Sequence, residues 1–185
     1  MKKIIISIFS FLLLTGSSIA QTEENKYFEL GLEAQQYPTG FLFGLRSEIG
    51  LKSHNVIDIR VGYNLLDHKD FGVQESEKGG GFGFTLGYRY YFNPDNQKWF
   101  LGARSDLWFN EVDWFDNRED EMRSGMTNVV VLQPTAIVGY RFLIKEHWVI
   151  TPTLAFGAEI NIKTKGEEVG QGAIVLWGVN LGYQF

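Results

Sequence analysis

Cysteine is absent from this 185-residue chain. That excludes a disulfide framework, thiol chemistry and a lipid-modified cysteine anchor. Proline is scarce, with four residues, and histidine scarcer, with three. Beyond residue 20 no stretch approaches 18 uninterrupted apolar residues, so no membrane-spanning helix is expected. An excess of positive charge is also missing: 17 basic residues stand against 22 acidic ones. That balance argues against nucleic acid as a partner. What is abundant is an odd mixture for a water-soluble domain: 15 Phe, eight Tyr, five Trp and 21 Gly. It suits strands with one aromatic side and one crowded side.

The first 20 residues read as a secretory signal. Lys2 and Lys3 give a positive start, residues 4–14 an apolar run, and Ser17-Ser18-Ile19-Ala20 a cleavage site of small residues. Cleavage is expected between Ala20 and Gln21, leaving one domain over residues 21–185. Losing Lys2 and Lys3 takes the 17 basic residues to 15 against 22 acids, a net charge of −7.

The C-terminal stretch sets the pattern for the rest. Val175, Trp177, Val179, Leu181, Tyr183 and Phe185 share one parity, and Gly178, Asn180, Gly182 and Gln184 the other. Successive side chains of a strand point to opposite faces, so this strand has one greasy and one polar face. Seven further segments repeat it: residues 26–37, 41–51, 56–66, 80–92, 99–110, 129–143 and 148–162. The apolar period is two nearly everywhere and not 3.6, so helix is a poor fit. Each segment has the roughly 9–11 residues needed to cross a bilayer as a tilted strand.

The connections alternate in length. Those after the second, fourth and sixth strands are short turns. Residues 67–79, 111–128 and 163–172 read as long polar loops. Aromatics gather at the short-turn rim: Tyr90, Phe92, Trp99, Phe142, Trp148, Tyr183 and Phe185 are expected as membrane-interface anchors, with Tyr37, Phe41, Tyr63, Phe82 and Phe109 near the other rim.

Strands in lipid must pair all their backbone groups, so the sheet is expected to close. Eight strands leave an interior that side chains can fill. The polar parity carries Glu29, Glu33, Glu48, Asp58, Asp106 and Glu159 against Arg46, Arg60, Arg89, Arg104 and Arg141. Buried charges persist when paired and hydrogen-bonded, so these eleven are expected to form an ion-pair network plugging the lumen. Glycines on the same parity would leave room for the arginines. Phe100 and Trp108 break the rule, lying on the polar parity.

The eightfold alternation, together with Gly182-Tyr183-Gln184-Phe185, resembles the small eight-stranded bacterial outer-membrane barrels of the OmpA/OmpX type, over the whole chain after the signal. The resemblance implies an all-β, antiparallel up-and-down transmembrane barrel in the outer membrane. The short rim and both termini would face the periplasm. Its implied partners are outer-membrane lipid or lipopolysaccharide, and the barrel-assembly machinery that reads the last strand. It implies no cofactor, and no peptidoglycan-binding role because nothing after Phe185 corresponds to that domain.

Motifs for chemistry are weak. Gly79-Gly80-Gly81-Phe82-Gly83 lacks the Lys-Ser/Thr and following helix of a phosphate loop. The acidic residues 113–121 lack the central glycine of a calcium loop, and no metal ligand set is expected. A lipid A-modifying enzyme would need a Ser or His with an activating base. His54 and His147 fall in short turns, and His68 in a loop without an evident Ser partner. The expectation is therefore a non-enzymatic protein acting through its loops in adhesion, partner contact or envelope integrity, with Trp114 and Phe115 as candidate contacts. The alternatives are a lipid A-modifying enzyme, a narrow pore, or a soluble lipocalin-like barrel with its apolar residues inside.

Overall fold

The structure, a computed structural model, describes residues 26–70, 72–117 and 122–185. The signal segment, the cleavage site and residues 118–121 of the acidic stretch lie outside the described residues. Eight strands follow in order: β1 (Phe28–Tyr37), β2 (Gly40–Lys52), β3 (Asn55–Lys69), β4 (Ser76–Tyr91), β5 (Lys98–Asp116), β6 (Arg123–Ile144), β7 (Trp148–Lys165) and β8 (Gly172–Gln184). Each pairs antiparallel with the next, and β1 pairs with β8, closing the barrel. The seam reads Glu29 opposite Gln184 through Gln36 opposite Trp177, and the Phe185 N–H donates to the Phe28 carbonyl at 2.8 Å. No helix among the described residues is long and apolar enough to cross a membrane.

The barrel is inverted relative to a soluble one. Phe84, Leu86, Leu154, Trp177 and Leu181 point outward and are 38–61% exposed. Arg46, Arg60, Arg89, Arg104 and Arg141 point inward and are 0–4% exposed. A lipocalin-like barrel with an apolar interior is thereby excluded.

The three long loops are a correction. Most of residues 67–79 and 111–128 are strand, as are residues 163–165 and 172, so the connections shrink to the stretches between Lys69 and Ser76, Asp116 and Arg123, and Lys165 and Gly172. β5, β6 and β7 reach 19, 22 and 18 residues, nearly twice what a bilayer crossing needs. They rise beyond the apolar belt as a tall wall, while the β1–β2 hairpin turns at once through Pro38 and Thr39. Past the belt the outward face meets water instead of lipid, so polar residues suit both parities and the alternation fades, while Glu77, Val112 and Thr127 stay buried on the inward face. Trp114 and Phe115 therefore lie on β5 rather than in a loop, and Trp114 packs against the interior cluster.

Two prolines interrupt the β6–β7 ladder. The pairs expected from register at residues 133–134 with 158–159, and at 140–141 with 151–152, are missing, and a register shift follows at Val130/Val131. Pro134 and Pro152 sit at these gaps and have no N–H to give.

Candidate functional site: the lumen and its far rim

The barrel's inward glycines and long polar residues build the interior in layers. Near the short-turn rim, Glu29 of β1 accepts from Arg46 at 2.9 Å, from Asn180 at 2.9 Å, and from Arg141 Nη2 and Nε at 2.9 and 3.1 Å. Arg89 reaches Glu48 at 2.6 Å and straddles Asp58 with Nε at 3.3 Å and Nη2 at 3.4 Å. Tyr27 and Tyr91 hydroxyls also donate to Glu48.

In the middle layer, Arg60 donates to Asp106 at 2.6 Å, to Glu33 at 3.0 Å and to Thr85 at 3.0 Å. Thr85 itself donates to Asp106. Arg104 donates to Gln35 at 2.7 Å and to Thr135 at 3.2 Å, with Glu33 and Asp106 at 3.7 and 3.5 Å. Five guanidiniums thus meet five carboxylates, all buried. A planar fork with several donors can serve two or three acceptors at once, which an ammonium cannot do with the same geometry.

Glu159 does not join them. It accepts from Gln133 at 2.9 Å, across the proline gap, and no Lys or Arg among the described residues pairs with it. Its parity is inward, but the nearest layer above the arginines holds amides and rings rather than cations.

Aromatic rings complete the packing. The Arg60 guanidinium lies 5.6 Å from the Trp108 ring centre, Arg89 4.7 Å from Phe100 and Arg141 4.6 Å from Tyr27. Such contacts favour desolvated guanidiniums. The two residues that broke the alternation, Phe100 and Trp108, are fully buried inside. Glycines face them: a Cβ at Gly83 would sit 2.3 Å from Trp108 Cε3, and one at Gly139 2.4 Å from Phe100 Cζ. These glycines make room for rings as much as for arginines, a role visible only once the partner strands are in register. Tyr37 is a further correction: it points inward, 3% exposed, and its hydroxyl donates to Asn64.

Outside, the short-turn rim carries an aromatic girdle. Tyr90, Phe92, Trp99, Phe142, Trp148 and Phe185 are exposed and Tyr183 is half-buried. Trp148 and Tyr183 meet edge to face at 5.4 Å, and Tyr183 contacts Phe185 at 5.1 Å. His54 stacks on Tyr90, and His147 on Tyr183, each at 5.2 Å. Tyr140 joins between Trp99 and Phe142.

The far rim is capped from within. Glu77, past the apolar belt on β4, accepts from the Gly170 N–H at 3.0 and 3.1 Å and from the Gln74 N–H at 3.2 Å, with His68 Nε2 at 3.5 Å. Burial alone would raise its pKa. The hydrogen bonds from His68, Gly170 and Gln74 outweigh that and hold the carboxyl below its ordinary value. One carboxylate thereby ties the 70–75 connection to the 166–171 connection. Gln74 adds a bond to the Glu168 carbonyl, and Thr127 one to that of Glu167. Val169 turns down into the mouth and packs with Val112, Val129, Val131 and Ile174. No pattern in the sequence marked this cap, because its residues come from four separated segments.

Residues 37–165 match a protein family described as "Protein of unknown function (DUF3575)". No protein of curated function matches the chain. Among solved structures, a major outer membrane protein from Thermus thermophilus aligns with 14% identity over 88% of this chain and 100% of its own, with a TM-score of 0.50. Ail, the attachment invasion locus protein of Yersinia pestis, aligns with 10% identity over 89% and 100%, also at 0.50. At such identities the likeness is one of fold: the closed, eight-stranded, antiparallel barrel of outer-membrane proteins.

Proposed function

Because the chain belongs to the DUF3575 family of proteins of unknown function and has the fold of small outer-membrane barrels, we propose that it is an integral outer-membrane protein. Its work is structural or one of partner contact, done by the far rim outside the cell. The observation that carries this reading is the inversion of the barrel wall. Outward Phe, Leu and Trp side chains would be an aggregation hazard in water over so large an area. In lipid they are the solvated face.

The aromatic girdle at the short-turn rim supports a periplasmic placement of that rim, since rings with one polar end collect among headgroups. The tall β5–β6–β7 wall would then project from the outer leaflet. Contact through that wall, in adhesion or in envelope integrity, follows from its being built of the three longest strands.

An open pore is disfavoured by the buried ion pairs and rings that fill the lumen. A hydrolase or acyl transferase is disfavoured by the histidines. Among the described residues His54 faces the Tyr91 carbonyl, His147 the Gln184 carbonyl and His68 Glu77, and none bonds a hydroxyl. Membrane fractionation combined with heat-modifiable gel mobility tests the placement. The protein should partition with the outer membrane and migrate faster unboiled than boiled. Recovery in a soluble fraction would end the proposal.

A further inference from the structure

Beneath the far-rim cap lies a cavity of about 220 Å³, room for roughly seven waters at liquid density. Pro38, Thr39 and residues 170–173 are among its lining. One side is apolar, formed by Val112, Val131 and Ile174. The other presents oxygens that lack donors. Asn110 is 4% exposed and its Oδ1 has no hydrogen-bond partner. Asn161 Oδ1 has none either, and its orientation is set because Nδ2 donates to the Val169 and Gly170 carbonyls. Glu159 lines the same cavity with Gln133 as its side-chain donor.

A carboxylate and two amide oxygens with unfilled acceptor capacity, gathered in one cavity, call for a ligand that donates. A cationic donor adds a charge-assisted hydrogen bond to Glu159 that a neutral donor cannot, and it also faces Glu77 and His68, which line the same cavity. No three metal-ligating side chains cluster here among the described residues. The geometry points to a small organic cation: an alkylammonium or guanidinium group bonded by Glu159, Asn110 and Asn161, with a short carbon chain against the valines. This assigns the cavity a ligand class and does not depend on whether the barrel wall lies in lipid.

The test is calorimetric titration of the refolded full chain in detergent micelles with n-propylammonium chloride. Heats from empty micelles are subtracted, and 1-propanol and calcium chloride serve as comparison probes. Saturable one-to-one binding of propylammonium is expected, with no saturable signal from propanol. Glu159→Gln keeps the shape and removes the charge, and should weaken binding at least tenfold. Asn110→Asp adds a charge and should tighten it several-fold, so the proposal is still tested if Glu159→Gln fails to fold. No saturable propylammonium signal, equal binding by Glu159→Gln, or a response to calcium alone would overturn the assignment.

Discussion

Glu29 on β1 and Arg141 on β6 stand 112 residues apart in the chain and meet at 2.9 Å across the lumen. Two strands, β7 and β8, separate them around the wall. The pair is therefore a strut through the interior rather than a clip between neighbours.

Struts of this kind predict coupled energetics. Breaking a buried pair from one side leaves an uncompensated charge, so Arg141→Ala and Glu29→Ala should each destabilise by about 3–5 kcal/mol. Glu29 keeps Arg46, and Arg141 keeps Glu48 at 3.6 Å, so the double mutant should lose less than the sum. A coupling of about 1–3 kcal/mol is expected from a double-mutant cycle read by urea unfolding in vesicles. Strict additivity would mean that the two side chains do not interact.

The glycine facing Trp108 predicts a steric effect of definite sign. Gly83→Val should destabilise by about 1–3 kcal/mol, because the new side chain meets the indole. In a Trp108→Ala background the same change should cost less but not nothing, since the truncated ring leaves space while the Leu107 carbonyl, 2.4 Å from the new Cβ, remains. Equal losses in both backgrounds would place Gly83 elsewhere than against the ring.

How far the sequence alone reaches is clearest in these interior residues. The sidedness of Trp177 and Arg60 follows from parity, because lipid on one face and a packed lumen on the other enforce opposite chemistry at every step. Parity does not say which strand faces which across the lumen. Hence Glu159 counted with the arginines although its layer holds Gln133, and Trp108 stood out as an exception without its partner Arg60. The same limit hid the extent of β4, β5 and β6. Where Glu77 and Trp114 leave the belt, water replaces lipid and the alternating pattern no longer distinguishes strand from loop.

The cap at the far rim should respond to acid in one direction. Glu77 has a folded pKa below its ordinary value. Its contribution is thus present in full above the ordinary carboxylate range, and is lost as pH falls through the lowered folded pKa. Protection of the Gly170 and Gln74 amides, taken relative to intrinsic exchange at each pH, should therefore hold through neutral pH and be lost only below the ordinary carboxylate range. Glu77→Gln should show low protection of these amides at every pH while the barrel keeps its unboiled mobility. Protection unaffected by either change would detach Glu77 from the cap.

A charge on the outer wall should be costly according to depth. Leu154→Arg, midway along β7, is expected to lose about 2–4 kcal/mol of folding stability in vesicles, whereas a Met126→Arg change on the tall wall should cost within about 0.5 kcal/mol. Equal tolerance at both positions would contradict a lipid belt confined to the lower barrel.

The most direct test is fluorescence quenching by brominated phospholipid. Single-tryptophan variants retaining Trp177, Trp148 or Trp108 would be folded into vesicles of that lipid. Trp177 and Trp148, each 60% exposed on the outer wall, should be strongly quenched, and Trp108, wholly enclosed with Arg60, should be nearly unaffected. Quenching of Trp108 to the same degree as Trp177, or none at either outer position, would contradict a barrel with its apolar side in lipid and its charges within.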